Sequence, residues 1–282
     1  MIEERPVKFG EIGYITYART YSRLKKDGNK ENFTETVVRE LYGIDKQLKL
    51  HLNEEEKEFY MDMRHNMEGS VAGRFMWQLG TKTVDNLGLS SLQNCAFVVI
   101  DEPIRPFTWT MDMLMVGSGV GYSVKREHVD KLPRVARKKI KIERFDDKQA
   151  DFIVPDTREG WVKLLGKVLK SYFYSGKGFT YSTQLVRGRG EDIKGFGGVA
   201  SGAAILVEGM ELICKILDER RGQKIRSIDA LDIMNIIGMI VVAGNVRRSA
   251  QLAIGDYDDE LYLTAKRWDL GSIPNWRAMS NN

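Results

Sequence analysis

Short, unbroken apolar runs set between amphipathic helical stretches constrain this chain more than any other feature. Cys95-Ala96-Phe97-Val98-Val99-Ile100 is such a run, and an apolar run without alternation is what a buried parallel strand shows. Tyr122-Ser123-Val124, Phe179-Thr180-Tyr181-Ser182 and residues 251–254 read as further strands, and Arg137-Lys138-Lys139-Ile140-Lys141-Ile142 alternates toward another. Helical patterns separate them. Residues 33–42 are amphipathic, with Gly43 as the expected stop. Asn53 opens a helix to about residue 67, ahead of three glutamates that suit a helix N-terminus. Residues 107–116 read as helix, and Gly117-Ser118-Gly119-Val120-Gly121 punctuates it. Asp156-Thr157-Arg158-Glu159 is a capping-box-like start for a helix to about residue 174. Residues 204–221 carry Leu206, Met210, Ile213 and Leu217 on one face and stop at Gly222. Ser227 with Asp229 opens a helix to about residue 242. Helices alternating with short apolar strands place the chain in the α/β class.

The chain has 282 residues, 43% of them hydrophobic, enough for one large domain or two smaller ones. A net charge of +4 permits a small anionic ligand without requiring nucleic acid. The basic stretch Arg134-Val135-Ala136-Arg137-Lys138-Lys139 has no zinc finger, aromatic RNP pattern or basic zipper beside it, so nucleic acid is not an expected partner. No apolar run approaches the roughly 18–20 residues of a membrane span, and Met1-Ile2-Glu3-Glu4-Arg5 carries no signal core. A cytoplasmic protein is the expectation. Two cysteines, Cys95 and Cys214, exclude a disulfide scaffold and a cysteine-rich zinc site. His51, His65 and His128 are scattered without ligand spacing, so no metal site is expected.

Several segments have both a chemical and a bland reading. Cys95 begins the first apolar strand; it is either a reactive thiol at a strand end or a buried, inert cysteine. Ser91 and Asn94 precede it, as ligand-binding side chains or as turn formers. Cys214 sits mid-helix and reads as packing only. The Gly117–Gly121 run has G-x-G-x-G spacing after a helix, so it fails the dinucleotide fingerprint and reads as a backbone turn. Gly176-Lys177 lacks the flanking residues of a P-loop. Gly195-Phe196-Gly197-Gly198-Val199-Ala200-Ser201-Gly202, followed by a helix, is either an anion cradle or a surface loop. Gly244-Asn245-Val246-Arg247-Arg248-Ser249-Ala250 sets two arginines between helix and strand; the bland reading is a solvated loop.

Taken in order, Ser91-Leu92-Gln93-Asn94-Cys95-Ala96-Phe97, Gly244-Asn245-Val246-Arg247-Arg248-Ser249-Ala250 and Trp276-Arg277-Ala278-Met279-Ser280-Asn281-Asn282 resemble adenosylcobalamin-dependent ribonucleoside-triphosphate reductases of the monomeric class II type. Thr16-Tyr17-Ala18-Arg19-Thr20-Tyr21-Ser22-Arg23, Gly73-Arg74-Phe75-Met76-Trp77 and Pro155-Asp156-Thr157-Arg158-Glu159-Gly160-Trp161 extend the resemblance over nearly the whole chain. The resemblance implies an N-terminal helical region over residues 1–72. It implies the first half of a ten-stranded α/β barrel over 73–282, incomplete in this chain. An effector-binding insert is implied at about 102–150, with specificity loops at about 187–202 and 244–250.

The implied reaction makes deoxyribonucleotides from ribonucleoside triphosphates through a thiyl radical initiated by adenosylcobalamin. Cys95 would belong to the dithiol pair that reduces the ribose and becomes a disulfide, with its partner outside this chain. Cys95 would then be a reductant, not the radical carrier. Ser91, Asn94 and Arg247 would contact substrate, since a guanidinium can bond a base edge or phosphate and stack on a ring. Lys194, Gly197, Gly198, Ser201 and Arg248 would hold a deoxynucleoside triphosphate effector, with Arg187 as a further phosphate partner. The effector and substrate sites would be coupled by a binding linkage of typically about 1–3 kcal/mol.

Most of the cobalamin surface would lie in the missing half. The expected partners are nucleotide substrate and effector, a thioredoxin-like or dithiol reductant, and a complementing C-terminal fragment, with no membrane. Ending within a family motif suggests a split gene, an intein junction or an early stop, and a chain inactive alone. The alternative is a non-catalytic nucleotide-binding regulatory fragment.

Overall fold

The computed structural model describes residues 4–25, 27–191, 200–242 and 250–282. The chain divides into two compact units, Met1–Asn94 and Cys95–Asn282.

The first unit is helical: α1 (Glu11–Thr20), α2 (Phe33–Lys46), α3 (Glu54–His65), α4 (Gly73–Gln78) and α5 (Lys82–Leu87). The starts of α2 and α3 are written locally. Asn32 and Asn53 each accept from the backbone N–H three residues on, while Glu35 and Glu56 reach back to the cap N–H. One apolar cluster joins Tyr17, Phe33, Val37 and Met61; a second joins Ile44, Leu79, Val84 and Leu92. Glu40 and Arg64 form a fully buried ion pair at 3.0 Å between α2 and α3, and Tyr60 donates to the same carboxylate at 2.8 Å. Gly43 does not stop α2 as expected. The helix runs to Lys46, and Gly43 lies inside it because a Cβ there would sit 2.5 Å from the Gly80 nitrogen. Its role is close approach rather than termination.

The second unit is α/β with parallel sheets. Its elements run β1 (Cys95–Val99), α6 (Arg105–Met115), β2 (Gly119–Ser123), α7 (Arg126–Val129), β3 (Ile142–Arg144), β4 (Phe152–Ile153), α8 (Arg158–Lys170), β5 (Phe179–Ser182), α9 (Ala204–Glu219), α10 (Ser227–Val242), β6 (Gln251–Ile254), α11 (Glu260–Leu263) and β7 (Ser280–Asn281). A four-stranded sheet has the order β1-β2-β6-β7, and a three-stranded sheet the order β3-β5-β4. Every described pairing between these strands is parallel.

Some expectations need adjusting. Gly119 and Gly121 are strand residues of β2, not a turn; only Gly117 takes a left-handed φ, of 88°. Gly121 is needed because the Phe97 ring occupies the space its Cβ would fill, at 2.6 Å. The alternating stretch 137–142 is not a strand, and β3 begins only at its last residue. Thr157 is the N-cap of α8, accepting from Gly160 N–H at 3.0 Å, and a π-helical turn (Ser171–Ser175) carries that helix onward.

Candidate functional site

Cys95 is the first residue of β1 and is exposed. It pairs in register with Gly119, the first residue of β2. One strand further, Val120 N–H donates to the Ala250 carbonyl at 2.8 Å, and Val120 is in register with Gln251. Gln251 is in register with Ser280. The parallel strands therefore begin together, and Cys95, Gly119 and Ala250 lie in one row at their amino ends. With strands about 4.8 Å apart, Ala250 is two strands, roughly 10 Å, from Cys95. Open α/β sheets gather ligands at the carboxyl ends of their strands; here the thiol stands at the opposite end.

Side chains alternate across a strand, so residues in register share a face. Phe97, Gly121, Leu252 and Asn281 are in register and share the face of Cys95. That face is open: Phe97 is 52% exposed, Leu252 49% and Ile254 39%. The opposite face is covered. Val120, Tyr122, Gln251, Ala253 and Ser280 are all buried there, and Gln251 Nε2 donates to the Met234 carbonyl of α10 at 2.8 Å. Burial pushes the Tyr122 hydroxyl above its usual range.

The segment leading into β7 is tied to α10. Asp232 accepts from Trp276 Nε1 at 3.0 Å and from Arg277 Nε and Nη2 at 2.7 and 2.8 Å. Lys266 Nζ donates to the Ser280 carbonyl. This clamp went unread in the sequence, where Asp232 was only one polar residue in an apolar helix.

In the first unit, Ser91 is 1% exposed and its hydroxyl donates to the Gly88 carbonyl at 2.7 Å. Asn94 is exposed immediately before Cys95. Arg247 and Arg248 lie outside the described residues, as do Lys194, Gly197 and Gly198. Their flanks are described. Gly190 N–H donates to the Ala200 carbonyl at 2.9 Å and Ala200 N–H to the Glu191 carbonyl at 2.8 Å, so residues 190–191 and Ala200 are held together.

Ser201 lies in the wall of an 800 Å³ cavity with Arg144, Thr183, Arg187, Arg189 and Glu208. Arg187 is engaged by Asp156 at 2.6 Å, and Arg144 by Asp146 at 2.6 Å. Arg189 has no ion-pair partner among the described residues, and sequence reasoning passed over it. Cys214, expected to serve packing only, lies mid-helix in α9. It is half-buried in the wall of a second cavity, and burial, first, pushes its thiol up to about 12.

A model of the B12-dependent ribonucleotide reductase insertion domain matches residues 123–217, and a model of the ribonucleotide reductase alpha domain matches residues 1–81. The solved structure of a B12-dependent, class II ribonucleotide reductase superposes on 99% of this chain with a TM-score of 0.82 at 29% identity. Over nearly its whole length this chain is similar to a class II, B12-dependent ribonucleotide reductase.

Adenosylcobalamin-dependent ribonucleoside-triphosphate reductases of Lactobacillus gasseri and Lacticaseibacillus paracasei are similar to it at 34% and 35% identity, over 97% of the chain in each case. The chain spans 45% of the length of each of those relatives and 46% of the solved structure. The insertion-domain match begins within the 102–150 segment and runs well beyond it. Among the described residues no helix is long and apolar enough to cross a membrane.

Proposed function

We propose that this chain supplies one part of an adenosylcobalamin-dependent ribonucleoside-triphosphate reductase, with Cys95 as one of two thiols that reduce the substrate ribose. The observation that carries this reading is the exposed thiol of Cys95 in the row of strand starts, with Ala250, the last residue of the paired-arginine motif, two strands away. In the net step two thiols become one disulfide, and the ribonucleotide loses its 2′-hydroxyl as water to become the deoxyribonucleotide. The second thiol comes from outside this chain, because Cys214, the one other cysteine, lies in a cavity wall apart from that row.

On this reading the four-stranded sheet is the first half of the ten-stranded barrel, and a complementing segment closes it over the open face of Phe97, Leu252 and Ile254. Asn94 and Arg247 contact substrate, while Ser91 acts through the turn it holds to Gly88. The 800 Å³ cavity takes the deoxynucleotide effector. Ser201 lies in its wall, Arg189 is available to phosphate, and Lys194, Gly197, Gly198 and Arg248 complete the set. A dithiol or thioredoxin-like protein regenerates the thiols, and the compartment is the cytoplasm.

Cobalamin is the cofactor that the relatives' names carry. On this reading most of the surface that holds it lies outside this chain, and this chain's own part in the reaction is the Cys95 thiol.

The test is a reductase assay with adenosylcobalamin, a dithiol and ribonucleoside triphosphate, run with and without the remaining segment of a relative such as the Lactobacillus gasseri protein. The expected result is deoxynucleotide only in the mixture, abolished by Cys95→Ser. Activity retained in Cys95→Ser would sink the assignment. A second reading is a regulatory nucleotide-binding fragment, in which the 800 Å³ cavity with Arg144, Arg187 and Arg189 in its wall binds deoxynucleotide without the reductase site. Deoxynucleotide binding without any turnover in the mixture would select it.

A further inference from the structure

The groove between α9 and the three-stranded sheet holds a second cavity, of 430 Å³, that the reductase reading leaves unused. Ile142 of β3, Tyr181 of β5, and Met210, Cys214 and Asp218 of α9 line it, with Glu211, Lys215, Glu219 and Arg221. It shares no lining residue with the 800 Å³ cavity, whose wall includes Ala204, Ile205 and Glu208 of the same helix.

Three of its groups are set up for a ligand. Tyr181 is 2% exposed, and burial pushes its hydroxyl above the usual range. Asp218 Oδ1 is buried without a hydrogen bond; Arg221 Nε pairs with it at 3.9 Å, and the Tyr172 hydroxyl lies beside the carboxylate. The Cys214 thiol is kept protonated by burial, beside the Tyr172 hydroxyl. Buried polar atoms are ordinarily satisfied, so a carboxylate oxygen buried without a hydrogen bond in a cavity wall marks a place for an outside donor.

The chemistry narrows what those partners are. A carboxylate oxygen accepts only, so the ligand brings N–H groups to Asp218. A tyrosine hydroxyl can donate to a ring nitrogen. The Tyr181 ring, Met210 and Ile142 supply apolar walls suited to a flat ring. Three carboxylates (Glu211, Asp218, Glu219) face two cations (Lys215, Arg221), which disfavours phosphate. The volume lies within the roughly 300–1,000 Å³ of small-molecule sites.

We propose that this cavity binds a planar heterocycle with an exocyclic amine, a nucleobase or nucleoside without phosphate, held by Tyr181 and Asp218. The site stands apart from Cys95 and from the effector cavity, so it survives or fails independently of the reductase assignment.

Calorimetric titration of the full chain with adenosine tests it, with uridine, which lacks the amine, as the comparison. Saturable adenosine binding is expected, with none for uridine. Tyr181→Phe, which removes one oxygen and keeps the ring, is expected to weaken binding at least about fivefold, as is Asp218→Asn; a loss of that size is what one missing hydrogen bond produces. Cys214→Phe fills the cavity and is expected to abolish adenosine binding while leaving deoxynucleoside triphosphate binding intact. Circular dichroism checks that each variant is folded, and Tyr181→Phe alone decides if the bulkier variant is not. No adenosine binding in the parent chain, equal binding of uridine, or binding unchanged in Tyr181→Phe overturns the proposal.

Discussion

The two cysteines differ in environment as much as in position. Cys95 is exposed at a strand start, and Cys214 is half-buried with its thiol pushed up to about 12. The thiolate is the reactive form, so alkylation of the folded chain at about pH 8 is expected to label Cys95 and spare Cys214 until denaturant is added; mass spectrometry reads both sites. The same shift sets a pH dependence. The folded state holds the Cys214 proton more tightly than the unfolded chain, so its contribution is complete below the ordinary thiol range. That contribution is lost as pH rises toward about 12. Urea melts are expected to show stability falling over that range, less so in Cys214→Ala.

In the first unit, Glu40→Gln leaves Arg64 buried without its counter-charge, with an expected loss of about 3–5 kcal/mol by urea denaturation. A double replacement of both partners by apolar residues is expected to cost far less. Cys95 was legible as a candidate because it opens an unbroken apolar run. Arg189 was not, since nothing in the sequence distinguishes an arginine facing a cavity from its neighbour Arg187, which Asp156 engages.

Helix starts were readable because their chemistry is local: Asn53 and Thr157 cap the helices that follow them, as their side-chain types indicate. What depended on a distant neighbour was not readable. Gly43 signals a stop by type, but the backbone of Gly80 decides its use. Gly43→Ala puts a methyl 2.5 Å from that nitrogen, and a loss of about 1–3 kcal/mol is expected from overpacking. The two-residue strands β4 and β7 carry too little pattern to be seen, and β7 exists through its pairing with β6 and the clamp on Asp232. Asp232→Ala removes the acceptor for Trp276 and Arg277, and amide exchange at Ser280 and Asn281 is expected to accelerate while that of α2 is unchanged. Unaltered exchange in β7 would show that strand pairing alone holds it.

For the molecule as a whole, the alternation of apolar strands and helices was enough to indicate α/β with parallel strands. The assembly of strands into two sheets was not, because sheet order depends on which strands meet rather than on their own residues. The four-stranded sheet exposes Phe97, Leu252 and Ile254 on the face that carries Cys95. An exposed apolar patch of that kind marks an interaction surface, and the proposed complement covers it. The central claim is that Cys95 is a reductant of the ribose, and thiol accounting tests it most directly. The chain, its complement, adenosylcobalamin and ribonucleoside triphosphate are mixed without external dithiol, then quenched and digested. The account expects one disulfide containing Cys95 for each deoxynucleotide formed. Deoxynucleotide formed while Cys95 remains a free thiol would contradict it.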